Sequence, residues 1–160
     1  MDSEAAQKRL IVELANLRAE KSARQEFLEK YNLAAETADL SLAFYVDLAQ
    51  SLFTRAPSAS SLERLRQLLL PAGALDRLGI DWRRRRFSYR AHTRLQGAFY
   101  YLLENSDLAK RCGNAACAKP YFFSKRRNAR YCSDECFAAA QRAAKREWWE
   151  EHGEEWRRNR

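Results

Sequence analysis

The four cysteines of this chain lie close together in its C-terminal third, and their spacing constrains the fold more than any other feature. They occur as Cys112, Cys117, Cys132 and Cys136, two short pairs separated by 14 residues. Two such pairs on tight turns can bring four thiolates around one metal ion. The spacing therefore predicts a metal site. All-thiolate ligation makes zinc the default ion, although spacing by itself does not separate zinc from iron.

Two disulfides are the alternative interpretation of the same four residues. Disulfide frameworks are typical of small secreted proteins, and the first 30 residues contain no apolar stretch followed by a cleavage motif. We therefore expect a cytoplasmic protein with reduced thiols. A site with four protein ligands leaves no position for a reactive water, so we expect one zinc ion with a structural role.

Basic residues are concentrated around the cysteines. The formal charge is +8, and residues 83–146 carry 16 basic and 4 acidic side chains, whereas the segments on either side are slightly acidic. Such a block indicates an anionic partner. Arg111, Lys119 and Arg130 are equally well explained as counter-charges for the thiolates. No apolar run reaches about 18 residues, so we expect no membrane span.

The apolar spacing predicts a mainly α-helical protein with a helical N-terminal body. We expect a helical domain over residues 1–109, a four-cysteine zinc finger over 110–152 and a tail over 153–160. Ser3–Tyr31 is predicted as one long amphipathic helix, which could also pair with a protein partner or a second copy. Three further helices are predicted over residues 37–53 (capped by Thr37 or Asp39), 60–70 (capped by Ser60 or Ser61) and 91–108.

Two segments of the body carry more specific expectations. In the fourth predicted helix, Leu95, Phe99, Leu102 and Leu103 share one face, which we expect to be buried. Residues 81–89 have no helical period and predict a short strand or an extended arm.

The finger is predicted to be treble-clef-like, with a knuckle, a β-hairpin and a helix. Gly113 and Asn114 tolerate positive φ and suit a tight turn between the first two cysteines. Tyr121–Phe123 suits a strand that pairs with residues 129–132. Ser133 can cap a helix that runs from Asp134 to about Glu151. Cys136 would then lie on the first helical turn, where the positive helix end stabilises a thiolate.

This last helix is predicted to have two faces at 100° per residue. We expect one face to pack inward, formed by Phe137, Ala140, Ala144 and Trp148. The other face is basic and carries one tryptophan; it is formed by Arg142, Lys145, Arg146 and Trp149. It suits a phosphate backbone, with the ring stacked on a base or sugar. The alternative is a solvated face whose tryptophan packs on the body or tail.

The finger resembles the CGNR-type zinc fingers of bacteria. The resemblance covers roughly residues 105–148 and rests on the segments 111–117, 121–123 and 126–133. It implies a helical N-terminal domain, zinc ligation by the four cysteines and DNA binding in transcription regulation, with Arg126, Arg127 and Arg130 at basic positions of the hairpin. The chain departs from the family in the spacing of the second cysteine pair and in Phe137-Ala138-Ala139 after the last cysteine. Segment 131–136 also resembles MYND fingers, which bind peptides but use more ligands than this chain contains.

Nucleic acid is therefore the expected partner, DNA in preference to RNA. The predicted phosphate-contacting residues all lie in the basic block: Arg83, Arg84, Arg85, Arg86, Arg126, Arg127, Arg130, Arg142, Lys145 and Arg146, with Trp149 as the stacking residue.

Two other functional classes compete with nucleic-acid binding. A protein-interaction module would use the finger as a scaffold and Trp148, Trp149 and Trp156, or the N-terminal helix, as the contact surface. A treble-clef nuclease would need a histidine on the finger's hairpin, and no histidine lies between Cys112 and Cys136. We therefore expect a protein that is not an enzyme.

Overall fold

The computed structural model describes residues 3–37, 40–54, 56–71, 78–81 and 86–158. Among these residues the chain forms six helices and two small antiparallel sheets. The helices are α1 (Glu4–Ala15), α2 (Lys21–Tyr31), α3 (Leu42–Leu52), α4 (Ala59–Leu69), α5 (Arg94–Glu104) and α6 (Asp134–Arg158). The strands are β1 (Leu78–Asp81), β2 (Arg86–Tyr89), β3 (Ala109–Arg111) and β4 (Tyr121–Phe123). The predicted mainly α fold is confirmed.

The core of the body forms where α1, α3, α4 and α5 meet. α1 buries Leu10, Ile11 and Leu14, and α5 buries Leu95, Ala98, Phe99 and Leu102. Their i, i+3 and i+4 spacing places each set on one helical face. The apolar face of α1 is therefore used inside this chain. Leu103 was expected on the buried face of α5, but 44% of its surface is exposed.

The predicted long N-terminal helix is wrong, because the segment forms two helices. α1 ends at Ala15 and α2 begins at Lys21. Asn16 is the C-cap of α1, and its side-chain Nδ2 donates to Val12 O at 2.9 Å. Gln50 Nε2 on α3 donates to Ala15 O at 3.0 Å. One local and one distant side chain thus donate to carbonyl groups in the last turn of α1, where the helix ends.

The caps of α3 and α4 also differ from the prediction. Ser41 caps α3, in place of Thr37 or Asp39, and its hydroxyl accepts from Phe44 N. Ser58 caps α4, in place of Ser60 or Ser61, and its hydroxyl accepts from Ser61 N at 3.1 Å. More than one residue with a capping side chain stands near the start of each helix, so capping preference could not select one.

The segment expected to be a strand or an arm contributes to a two-stranded hairpin. β1 and β2 pair antiparallel, with Leu78 opposite Tyr89 and Asp81 opposite Arg86. Arg83, Arg84 and Arg85 lie outside the described residues, in the connection between these strands.

The strand pairing of the finger differs from the prediction as well. β4 pairs antiparallel with β3, and residues 129–132 form no strand. Ala109 and Phe123 are opposite each other, as are Arg111 and Tyr121. β3 begins at Ala109, which is buried in the core of the body, whereas residues 129–132 are half-buried or exposed. β4 therefore gains both a partner and a core contact by pairing with β3.

Strand β4 attaches the finger to the helical body by packing against it. The rings of Tyr121 and Phe123 lie against Phe53, with centroids 5.7 Å and 5.4 Å away, and Phe123 also lies 5.3 Å from Tyr101. Asn16 adds a pair of hydrogen bonds: its Nδ2 donates to Tyr121 O at 2.8 Å and its Oδ1 accepts from Tyr121 N at 3.1 Å. One side chain thus satisfies both backbone groups of a strand residue.

The last helix extends farther than predicted and is largely exposed. α6 runs to Arg158, through the segment expected to be a tail, and only Gly153 is buried along it. The face predicted to pack inward is mostly exposed: Phe137 and Trp148 keep 45% and 44% of their surface accessible. α6 leaves the finger without packing extensively on any described element. No described helix has the length and apolar character that crossing a membrane requires.

Candidate metal centre

The four cysteine sulfurs converge at one point of the finger. The Sγ atoms of Cys112, Cys117, Cys132 and Cys136 all lie within 4.8 Å of one another. The Sγ atoms of Cys117 and Cys132 are 3.6 Å apart, and those of Cys132 and Cys136 are 3.5 Å apart. All four thiols are free, so the alternative of two disulfides does not hold.

These separations fit a single ion. Four sulfurs placed about 2.3 Å from a tetrahedral zinc are about 3.8 Å from one another. The cluster is therefore arranged to hold one metal ion with sulfur ligands only. A metal held in this way supplies cross-linking of the loops and charge compensation for the thiolates, and it leaves no open coordination position.

The first two cysteines are positioned by the end of β3 and the turn that follows. Cys112 is buried, and its N–H donates to Pro120 O at 2.7 Å, which extends the β3–β4 pairing by one step. Cys117 N donates to Asn114 O at 3.0 Å, and the Asn114 side chain accepts from Ala116 N at 3.1 Å. The predicted knuckle is therefore confirmed.

The reason for glycine in this knuckle differs from the expectation. Neither Gly113 nor Asn114 lies in the left-handed region of φ. Gly113 N donates to Arg130 O at 2.7 Å, and a Cβ on Gly113 would come within 3.3 Å of both Arg130 O and the Tyr131 ring. Glycine is needed there because the backbone of the second cysteine pair approaches closely.

The last two cysteines are positioned by the start of α6. Ser133 caps this helix as predicted: its Oγ accepts from Cys136 N at 3.3 Å and its carbonyl accepts from Phe137 N at 3.1 Å. Cys136 thus lies on the first turn of α6, whereas Cys132 precedes the helix and is exposed.

The thiols differ in their acidity. Hydrogen bonds to its sulfur lower the pKa of Cys136 to about 7; the bond from the Asn114 side chain has the largest effect and the bond from Cys132 the second largest. Desolvation within the sulfur cluster raises the pKa of Cys117 and, more strongly, that of Cys132, where hydrogen bonds with the neighbouring thiols raise the pKa further. Asn114 was not recognised as a functional residue from the sequence, because its contact with Cys136 crosses between the two cysteine pairs.

The basic residues predicted for phosphate contact lie in several places. Arg126, Arg127 and Arg130 are exposed in the loop between β4 and α6, and Arg127 Nη2 pairs with Asp107 Oδ2 at 2.9 Å. Arg86 begins β2. The remaining predicted residues that the structure describes are exposed on α6: Arg142, Lys145, Arg146 and Trp149. Trp149 packs edge-on against Trp148 and against Trp156. Trp156 lies in the segment expected to be the tail, so this contact agrees with the alternative interpretation, in which the tryptophan packs on the body or tail.

A cationic cleft beside the cysteines brings together residues that the sequence prediction only partly found. It has a volume of about 580 Å³ and is lined in part by Lys110, Arg111, Gly113 and Arg130. No acidic side chain is among its described lining residues. Lys110 was missed because nothing in the sequence indicates that β3 borders this cleft.

Comparison with known proteins gives no family for this chain: no protein-family model matches it, and no curated protein matches it significantly. The resemblance to CGNR-type fingers therefore stays a prediction.

Proposed function

We propose that this protein binds one structural zinc ion through Cys112, Cys117, Cys132 and Cys136 and uses the cationic surface beside that ion to bind nucleic acid. DNA is the preferred partner, and the resemblance to CGNR-type fingers suggests a role in transcription regulation. The protein has no catalytic role in this proposal, because a site closed by four cysteines offers no position at which zinc could activate water.

The choice of zinc follows from the donor set. Only thiols contribute to the metal-binding group, and soft thiolate ligands select zinc, copper(I) or iron–sulfur chemistry over calcium, magnesium and manganese. Their sulfur separations suit a tetrahedron closed by four protein ligands. Zinc is the metal most often found in such closed structural sites.

The cationic cleft is the observation that carries nucleic-acid binding. Arg111 directly precedes the first cysteine and Arg130 lies two residues before the third, so the metal would fix both arginines through the backbone. The Gly113 N–H···O Arg130 bond of 2.7 Å holds the two segments together. A cleft with three cations and no described acidic residue attracts phosphate groups, whose neutralisation dominates nucleic-acid affinity.

Helix α6 supplies a second set of cations. Arg142, Lys145 and Arg146 are exposed within an arc of about 100° on the helix. No described acidic side chain forms an ion pair with them. Free cations on an exposed helix can follow a phosphate backbone without losing an internal partner.

Fluorescence anisotropy tests this proposal directly. The zinc-loaded protein is titrated against labelled duplex DNA, single-stranded DNA and RNA over a salt series. We expect a Kd below about 1 mM at roughly 50 mM salt, and an affinity that falls steeply as salt rises. The double variant Arg111→Gln/Arg130→Gln should reduce the log–log salt slope by about 2.

A matched control separates this cleft from net charge. The double variant Arg9→Gln/Arg18→Gln removes the same charge from exposed positions at α1 and just after it. We expect its salt slope to stay close to that of the unmodified protein. Equal losses in the two double variants, or no measurable binding to any of the three nucleic acids, would overturn the proposal.

Exposed tryptophans favour protein interaction as a second candidate function. Trp148, Trp149 and Trp156 keep 44%, 40% and 41% of their surface accessible, and His152 stacks on Trp148 at 5.3 Å. The Trp149 ring covers Gly153, where a Cβ would lie 3.1 Å from it. Tryptophan is a frequent anchor of protein interfaces.

Self-association tests this second function, because a second copy of the chain is present in every sample of the protein. Sedimentation velocity at high salt should reveal self-association that Trp149→Ala/Trp156→Ala abolishes. A strictly monomeric protein at all salt concentrations would remove self-association through α6 as an explanation for the exposed rings.

A further inference from the structure

An apolar cavity lies between the helical body and the finger. Its volume is about 440 Å³, within the usual range of small-molecule sites. Leucines dominate the described lining, contributed by α3, α4 and α5: Leu52, Leu62, Leu65, Leu102 and Leu103.

Two of these leucines are unusually exposed. Leu62 and Leu103 leave 47% and 44% of their surface accessible, whereas Leu65 and Leu102 behind them are buried. Exposed apolar side chains that border a concave apolar surface often mark a ligand site.

The apolar cavity adjoins the cationic cleft described above. Thr54 and Lys110 line both of them. At the apolar cavity Arg127 is already paired with Asp107, with an N–O distance of 2.9 Å. Half-buried Lys110 forms no ion pair with a described residue, and Arg111 and Arg130 lie in the cleft beyond it. The apolar cavity therefore lies beside the positive charge of Lys110, which has no counter-ion among the described residues.

We propose that these adjoining cavities bind a small amphipathic anion, a carboxylate with an aliphatic tail. The tail occupies the leucine cavity, and the carboxylate lies at Lys110, towards Arg111 and Arg130. A neutral ligand would bury the same apolar area without compensating the cations, and a cationic ligand would be repelled. Since Arg111 and Arg130 are also the proposed phosphate contacts, the ligand should compete with nucleic acid; this last step rests on the proposed function.

Isothermal titration calorimetry with three ten-carbon probes tests the ligand class. Decanoate should bind to the zinc-loaded protein with one site per chain, and decanol and decylamine should bind at least roughly tenfold more weakly, because they lose a charge-assisted contact. Equal affinity for the three probes, or no binding of decanoate, would refute the proposal.

Three variants test the position of the ligand site. Lys110→Gln keeps most of the side-chain stem and should weaken decanoate binding roughly ten- to hundredfold. Leu62→Glu puts a carboxylate at the exposed edge of the apolar cavity and should abolish decanoate binding. Leu40→Glu is the matched control, because Leu40 is 39% exposed and is absent from the lining of both cavities. Loss of binding in Leu40→Glu, or its retention in Leu62→Glu, would contradict the assignment.

Competition between decanoate and DNA is measured separately, as displacement of labelled DNA. Decanoate should displace labelled DNA from the unmodified protein, and it should not do so from Leu62→Glu. Calorimetric binding of decanoate without displacement would support the ligand site and refute the shared cleft. If the protein does not bind DNA at all, the proposed function fails, and calorimetry with decanoate still decides whether the ligand site exists. The two failures are therefore distinguishable.

Discussion

Asn16 offers the sharpest test of how the finger is attached to the body. Its side chain makes three hydrogen bonds, one to Val12 O within its own helix and two to the backbone of Tyr121, which is 105 positions away in sequence. Replacing Asn16 by alanine removes all three. The half-buried N–H and C=O of Tyr121 then lose the partners that α1 supplied.

Asn105 provides a matched control. Asn105 is the C-cap of α5, as Asn16 is the C-cap of α1. Its Nδ2 donates to Tyr101 O at 2.9 Å, the distance also found between Asn16 Nδ2 and Val12 O. Among the described residues, the Asn105 side chain forms no long-range hydrogen bond beside this local one. The difference between Asn16→Ala and Asn105→Ala therefore reports the two bonds to Tyr121.

The expected difference is about 2 kcal/mol, from two hydrogen bonds at about 1 kcal/mol each. For a chain of this length that corresponds to a melting temperature roughly 4–8 °C lower for Asn16→Ala than for Asn105→Ala. Urea unfolding followed by circular dichroism, with zinc present, measures the free energy. If the two variants unfold at the same urea concentration, the two hydrogen bonds between Asn16 and Tyr121 do not contribute to stability.

Three further predictions concern the finger. Phe123→Ala should lower the free energy of unfolding by about 2–4 kcal/mol, because its ring fills the space between Phe53 and Tyr101; chemical denaturation measures this loss. In the metal-free, reduced protein Cys136 should be alkylated first, with a pH profile centred near its pKa of about 7, and Asn114→Ala should move that profile to higher pH because the thiolate loses its main hydrogen bond. Chelation of the metal should remove hydrogen-exchange protection from the cysteine loops while the helical body stays protected.

Local chemistry made several parts of this molecule predictable. The cysteine spacing predicted one four-sulfur cluster, and Ser133 was recognised as the cap of α6 because a single hydroxyl stands at the required distance from Cys136. The helices of the body follow from apolar residues at helical spacing. In each case the residues that decide the structure belong to one continuous segment of the sequence.

The parts that could not be predicted depend on distant contacts. The end of α1 depends on Tyr121 and Gln50, which lie far from it in sequence. The pairing of β4 with β3 depends on the buried position of Ala109. Exposure of Phe137 and Trp148 was not foreseen, because an apolar face indicates burial only where another element is available to cover it.

X-ray absorption at the zinc edge tests the central claim most directly, namely that one metal ion held by four thiolates organises the finger and its cations. The sample is protein purified under reducing conditions, with the metal content determined alongside. We expect one zinc per chain with four sulfur neighbours at about 2.3 Å. A metal-free protein, or a zinc with nitrogen or oxygen ligands in its shell, would contradict the account.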